Sequence, residues 1–332
     1  MAEALHPLNG PAATPRRGRS LLDLAPALTL LVFLLPVGAG LLGTLLPAFG
    51  HLPALGASGW SLQAWRDLAA APGVSTALVL SLGTGWAATV LSLLLAAGIV
   101  AALHPRGRTR RLGEWLAPLL AMPHAALAIG LAFLIAPSGW LVRACAGLLA
   151  PVWDGLALPP DVGTVGHASG WPIVLALLVK EVPYLVLMML AALNQVPARA
   201  QVEQARTLGY GPAQAWLAVV LPQLWPQLRL PVYAVLAFSL SVVDVAVVLG
   251  PGNPPTLAVL AVRWFADPDP RWIFPASAAA TLLLLVVLAS LAVWRLGERG
   301  IAVWHRHHLE AGRRGRPGGL ADPLARVATG LG

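Results

Sequence analysis

The chain has 332 residues and a formal charge of +8, with 58% hydrophobic and only 11% charged residues, and its mean hydropathy is +0.74. A soluble globular domain carries about 25% charged residues, so this composition excludes an ordinary soluble fold and places the chain in the membrane class. A net positive charge alone is compatible with nucleic-acid binding, so what matters is where the basic residues fall.

A helix needs roughly 20 apolar residues to cross a hydrocarbon core about 30 Å thick. Runs of that kind fall near 24–46, 76–103, 115–136, 171–193, 230–250 and 273–295. They are built almost wholly of Leu, Val, Ala and Gly, with none of the alternation of a membrane barrel strand, so the expected fold is all-α: a polytopic membrane protein with six transmembrane helices. Residues 1–20, rich in Gly, Pro and Arg, read as a flexible basic tail. The apolar run that follows, Leu21 to Leu46, exceeds the 7–15 residues of a cleavable leader, so it is expected to stay as the first span.

After the first span, Gly56-Ala57-Ser58-Gly59 matches the short pattern around the nucleophile of rhomboid-type intramembrane proteases. The serine sits in a loop, and His124 and His167 both precede the fourth span, so no His on a late span is placed to act as its base. An enzyme is therefore a remote reading; the sequence also holds no His-Glu-x-x-His zinc motif. The loops at 47–73 and 137–170 suit short interfacial helices, and Trp60, Trp65, Trp140, Trp153 and Trp171 suit an aromatic belt; Pro159 and Pro160 mark a turn. Cys145 is the single cysteine, which rules out an internal disulfide and reads as a packing residue.

The fourth span carries Lys180 and Glu181 near its middle, where an ionised side chain costs several kcal/mol unless paired or hydrated. Adjacent residues point about 100° apart on a helix, so each is expected to find a partner on another element, with Asp244 the candidate for Lys180. These three residues either line a translocation path, with Pro183 kinking the helix beside them, or form a structural ion pair. As a proton or ion relay they would instead suit a secondary transporter driven by an ion gradient, the main alternative function.

Between the fourth and fifth spans runs Val202-Glu203-Gln204-Ala205-Arg206-Thr207-Leu208-Gly209, continuing through Tyr210-Gly211-Pro212 to Val219-Val220-Leu221-Pro222. Residues 198–208 are good helix formers with Val202, Ala205 and Leu208 as one apolar stripe, and Gly209 suits a left-handed cap. Pro212 can open a second helix bearing Ala215, Trp216 and Val219, which Pro222 and Pro226 would terminate or bend. This stretch resembles the cytoplasmic loop of ABC importer permeases: Glu-Ala-Ala, three residues, Gly, nine residues, then aliphatic-x-Leu-Pro. Gln204 stands where that pattern usually has Ala. By this resemblance the loop (about 198–226) docks on a separate ATPase, with Glu203, Gln204, Ala205, Arg206, Gly209, Leu221 and Pro222 as contact or shaping residues.

Later residues extend the resemblance over roughly 75–295. Ser239 to Asp244 leads into Leu249-Gly250-Pro251-Gly252-Asn253-Pro254-Pro255-Thr256, which is similar to permeases related to those for thiamine, iron and polyamines, closest to a branch of that group with no assigned substrate. The helix-hostile Gly250, Pro251, Pro254 and Pro255 suit a gate or a contact with a substrate-delivery protein, or an ordinary tight loop. The tail at 301–332 reads as flexible and basic; its His305-Arg306-His307-His308 cluster suits anionic lipid better than a metal.

Basic residues cluster before the first span (Arg16, Arg17, Arg19), after the second (Arg106, Arg108, Arg110, Arg111), between the fourth and fifth (Arg199, Arg206, Arg229) and after the sixth (Arg295, Arg299, Arg306, Arg313, Arg314, Arg316, Arg326). The other loops hold Arg66, Arg143, Arg263 and Arg271. The positive-inside bias therefore puts both termini in the cytoplasm and accounts for the charge without nucleic acid. The sequence holds no G-x-x-x-x-G-K-[ST] loop, so no ATP is expected to bind here.

What the resemblance implies is a permease subunit in a bacterial cytoplasmic membrane, with a six-helix domain over 21–300. A second permease half, identical or homologous, two ATPases using ATP and Mg, and a periplasmic or extracellular binding protein would complete the assembly. ATP binding would draw the Glu203–Pro222 loops together and turn the path outward.

Overall fold

A computed structural model describes residues 24–104, 109–149, 163–211 and 215–310. The basic tails at 1–20 and 311–332, Arg106, Arg108, Trp153, Pro159, Pro160 and Pro212 lie outside the described residues, as do the side chains of Arg110, His305, Arg306 and His308. The described chain is helical: α1 (Ala25–Ala48), α2 (Gln63–Ala70), α3 (Val74–Leu103), α4 (Thr109–Ala121), α5 (His124–Ile135), α6 (Trp140–Leu149), α7 (Trp171–Leu193), α8 (Ala198–Thr207), α9 (Leu221–Ser241), α10 (Asp244–Leu249), α11 (Leu257–Phe265) and α12 (Ile273–Glu310). Five stretches are long and apolar enough to cross a membrane: Ala25–Ala48, Val74–Leu103, His124–Leu148, Trp171–Leu193 and Pro270–Trp304.

The expected third and fifth spans are drawn differently by the structure. Instead of one helix over 115–136, α4 stops at Ala121 and α5 starts at His124, with Pro123 extended between them at φ −60°, ψ 144°. Proline offers no N–H to the carbonyl four residues earlier, so the ladder fails there. The fifth run is not a helix over 230–250. α9 begins at Leu221, ends at Ser241, and yields at Val242 and Val243 to the short α10. At 21 residues α9 is long enough to span, but Gln223, Gln227 and Arg229 make its first half more polar than the five stretches above. Pro222 and Pro226 do not end a helix: the π-helical turn Trp216–Val220 runs straight into α9, which also contains Pro231. α12 continues to Glu310, past the boundary at 300 that composition suggests.

α3 packs against α7 and α9 through small side chains. Ala77, Ser81, Gly85, Ala88, Ser92 and Ala96 recur at three- and four-residue spacing and are buried, the pattern that lets membrane helices approach closely. At Gly85 a β-carbon would lie 2.6 Å from Leu240 Cδ2 and 3.0 Å from Leu240 Cα, so only glycine permits the crossing with α9. At the α8 end a core of Val100, Leu185, Met189, Trp216, Val220, Leu224 and Leu228 joins α3, α7, the π turn and α9. A second core towards the other end gathers Ala88, Ile173, Leu177, Val245 and Leu249, and a third docks α1, α2 and α11 on α12 through Ala48, Leu68, Leu257 and Ala278.

Much of the apolar surface faces outward. α1 exposes Leu28, Leu31, Phe33 and Leu35, and Val79, Leu94, Phe133 and Leu230 are likewise exposed. In water such a surface would aggregate; against lipid tails it is the ordinary exterior of a spanning helix. Cys145 is exposed rather than packed, because it lies on the outward side of the short α6 with Leu141 and Leu148.

Candidate functional site

The helix break between α4 and α5 faces the middle of α7. Lys180 Nζ donates to the main-chain oxygens of Leu119 at 3.0 Å, Leu120 at 3.2 Å and Met122 at 2.6 Å. The last carbonyls of a helix have no partner within it, and Pro123 removes the N–H that Leu119 would have used. Lys180 therefore caps a carboxyl-terminal helix end, where the macrodipole favours a cation. The expected pairing of Lys180 with Asp244 is not formed. Asp244 instead turns back on its own helix, accepting the Val245 N–H at 2.9 Å, and is exposed.

Glu181 takes the other pole of the same break. Its carboxylate stands 3.8 Å from Nε2 of His124, the first residue of α5, beyond direct hydrogen-bond reach. The His124 ring packs on Phe238 of α9 with centroids 4.6 Å apart. Lys180, Glu181, His124 and Phe238 line a cavity of about 330 Å³ with Tyr184, Leu120, Ala234 and Val235. Two adjacent charged residues thus diverge, as helical geometry requires, and reach opposite ends of a broken helix. The sequence points to the pair and not to His124, Tyr184 or Phe238; the signal available was Pro123 inside an apolar run.

The α8 turn matches its sequence reading in most respects. Tyr210 N–H bonds the Ala205 carbonyl at 3.1 Å and Gly209 N–H bonds that of Arg206 at 3.0 Å, with Gly209 at φ +90°. That is the Schellman arrangement, which requires a left-handed residue. Ala205 is buried and Val202 packs on the core, while Glu203, Gln204, Arg206 and Gly209 are exposed. Leu208 does not complete the apolar stripe: it is 59% exposed, because the chain has already left the helix at that residue. Leu221 and Pro222 open α9 directly after the π turn.

Behind this turn, Arg199 Nη2 donates to the His104 carbonyl at 3.4 Å, and the His104 ring packs on Trp216 with centroids 5.8 Å apart. Burial, and secondarily the Arg199 charge, hold the His104 ring below its ordinary pKa. Further along, Glu298 Oε2 accepts from Arg229 Nε at 3.1 Å, Arg295 Nη1 at 2.7 Å and Tyr233 Oη at 3.1 Å. This cluster clamps α9 to α12 and was not evident from sequence, since its members lie up to 69 residues apart.

The segment of Gly250, Pro251, Pro254 and Pro255 is tied down on several sides. Leu249 O accepts from Gly166 N–H at 3.0 Å, Gly252 O accepts from Arg263 Nη1 at 2.7 Å, and Pro254 fills the space beside Gly73, where a β-carbon would come within 2.9 Å of it. Ser81 Oγ accepts the Leu257 N–H at 2.8 Å, capping α11. Pro251 and Pro255 are buried.

Long apolar helices, a helix broken around buried charges and an exposed capped turn define a polytopic membrane protein. Residues 95–301 match the family described as "binding-protein-dependent transport system inner membrane component", and the chain belongs to that family. It is a multi-pass protein of the inner membrane, and the relatives it matches are permease proteins. It is 36% identical over 245 residues to the inner membrane ABC transporter permease protein YnjC of Escherichia coli (strain K12), covering 73% of this chain and 45% of that one. Molybdenum transport system permease proteins ModB of Mycobacterium bovis and Mycobacterium tuberculosis are each 32% identical over 247 residues, covering 69% of this chain and 80% of theirs. The chain thus spans less than half of the Escherichia coli relative. The similar proteins are ABC permeases, which removes the secondary-transporter and protease readings.

Proposed function

We propose that this chain forms the translocation path of an importer with a second permease unit and couples it to a separate ATPase through the α8 turn. The observation that carries the coupling is the turn itself: a helix held to the core by Ala205 and Val202, closed at Gly209, with Glu203, Gln204 and Arg206 facing outward. An exposed polar face on a rigidly capped helix is suited to docking, and α9, continuous with the π turn behind it, carries the movement into the membrane region. Leu221 and Pro222 shape that junction.

The finer assembly follows the same reading. α9 serves as the sixth span and the loop charges place both termini inside. Two ATPases use ATP and Mg, this chain binds no cofactor, and an external binding protein delivers substrate near Gly250–Pro255. More than half of the Escherichia coli relative lies outside the match, length enough for a second unit of this size. Lys180 and Glu181 frame the path around the cavity, and Asp244 faces outward towards the second unit.

The test is co-purification of wild type and Gly209→Trp with the cognate ATPase, followed by ATPase activity in lipid. Retention by the wild type and loss with the variant support the coupling role. Equal retention by both removes it from this turn.

A further inference from the structure

Lys180 is nearly fully buried yet makes no ion pair among the described residues. Three main-chain carbonyls converge on its ammonium instead. Carbonyl oxygens aimed at one point replace the hydration shell of a small cation, and unwound carbonyls at a half-helix end are the kind of group that holds one inside a membrane protein. Here the oxygens of Leu119, Leu120 and Met122 are directed inward because Pro123 breaks the ladder.

The geometry points to a monovalent-cation site at the Met122–Pro123 break whose occupant is a tethered one, the Lys180 ammonium. Lys180 is on this account a positioning residue. It fills the site permanently, so the join between α4 and α5 holds its shape without a free ion, and Glu181 beside it meets the start of α5. Any ammonium of matching size should then substitute for the side chain. Truncating lysine to alanine removes a three-carbon ammonium arm, and the adjoining cavity of about 330 Å³, lined in part by Lys180 and Leu120, gives a route of entry.

The experiment measures the thermal midpoint of the full chain in lipid nanodiscs, for wild type, Lys180→Ala and Lys180→Met. Each is measured in about 100 mM propylammonium chloride or tetramethylammonium chloride, the second carrying charge but no N–H. Lys180→Ala should lose roughly 5 °C and regain at least half of it in propylammonium alone. Wild type, and Lys180→Met whose side chain blocks the space, should not respond.

The inference is overturned if Lys180→Ala matches the wild type, if propylammonium does not restore it, if tetramethylammonium restores it equally, or if the wild type responds as strongly. Should Lys180→Ala not be recovered, Lys180→Ala combined with Pro123→Ala decides. The returned N–H at 123 satisfies the Leu119 carbonyl, so this chain should be recovered; failure to recover it also overturns the inference. None of these readings depends on transport, so they separate from the coupling proposal.

Discussion

Replacing Gly209 tests whether the α8 turn works through its backbone shape. Gly209 sits at φ +90° and a β-carbon built there meets nothing within 4 Å, so substitution meets no clash and the cost is conformational. An L residue in the left-handed region costs roughly 1–2 kcal/mol, and one or two kcal/mol changes a population by a factor of about 5–30. If the variants relieve this strain by opening the turn and the ATPase binds only the closed form, affinity should fall by up to that factor for Gly209→Ala, more for Gly209→Val, and less for Gly209→Asn, since asparagine tolerates this conformation. The assay is titration of the ATPase onto nanodisc-embedded chain, with the thermal midpoint as a control that should barely move, because the turn buries little. Asparagine is larger than alanine, so simple crowding at the interface predicts the reverse order. Binding by Gly209→Asn weaker than by Gly209→Ala, or unchanged binding by Gly209→Val, refutes the reasoning.

Gly85→Ala should lower stability by about 1–3 kcal/mol through overpacking against Leu240, seen as a drop in thermal midpoint that is smaller when the substitution is made in a Leu240→Ala background than in the wild type. Ser81→Ala strands the buried Leu257 N–H and should cost about 1–3 kcal/mol, with faster hydrogen exchange at the start of α11 as its local sign. His104 has its pKa lowered in the fold from the ordinary 6.5. Its contribution to stability is therefore complete above that value and lost as pH falls through the folded pKa. The wild-type midpoint should drop more than that of His104→Gln on going from about pH 7.5 to about pH 5.5, and equal drops would remove His104 as the cause.

By itself the sequence determined the membrane class and most of the spans, because bilayer thickness sets the length of an apolar helix and needs no partner to be recognised. It also determined the end of α8, since a left-handed cap is local backbone chemistry and Gly209 announces it. The buried pair Lys180 and Glu181 was equally visible, and so was the need for each to look away from the other. What only the tertiary structure decided was where they look. The acceptors of Lys180 are main-chain carbonyls, which every residue possesses and which no residue type marks, whereas Asp244 offered a visible charge and satisfies its own helix instead. The break that supplies those carbonyls was hidden inside an apolar run, because membrane helices tolerate proline whenever neighbours satisfy the freed groups, and here the neighbour is Lys180 itself. The Glu298 clamp between α9 and α12 and the Gly85–Leu240 crossing were decided in the same way, by contacts between residues far apart in the chain.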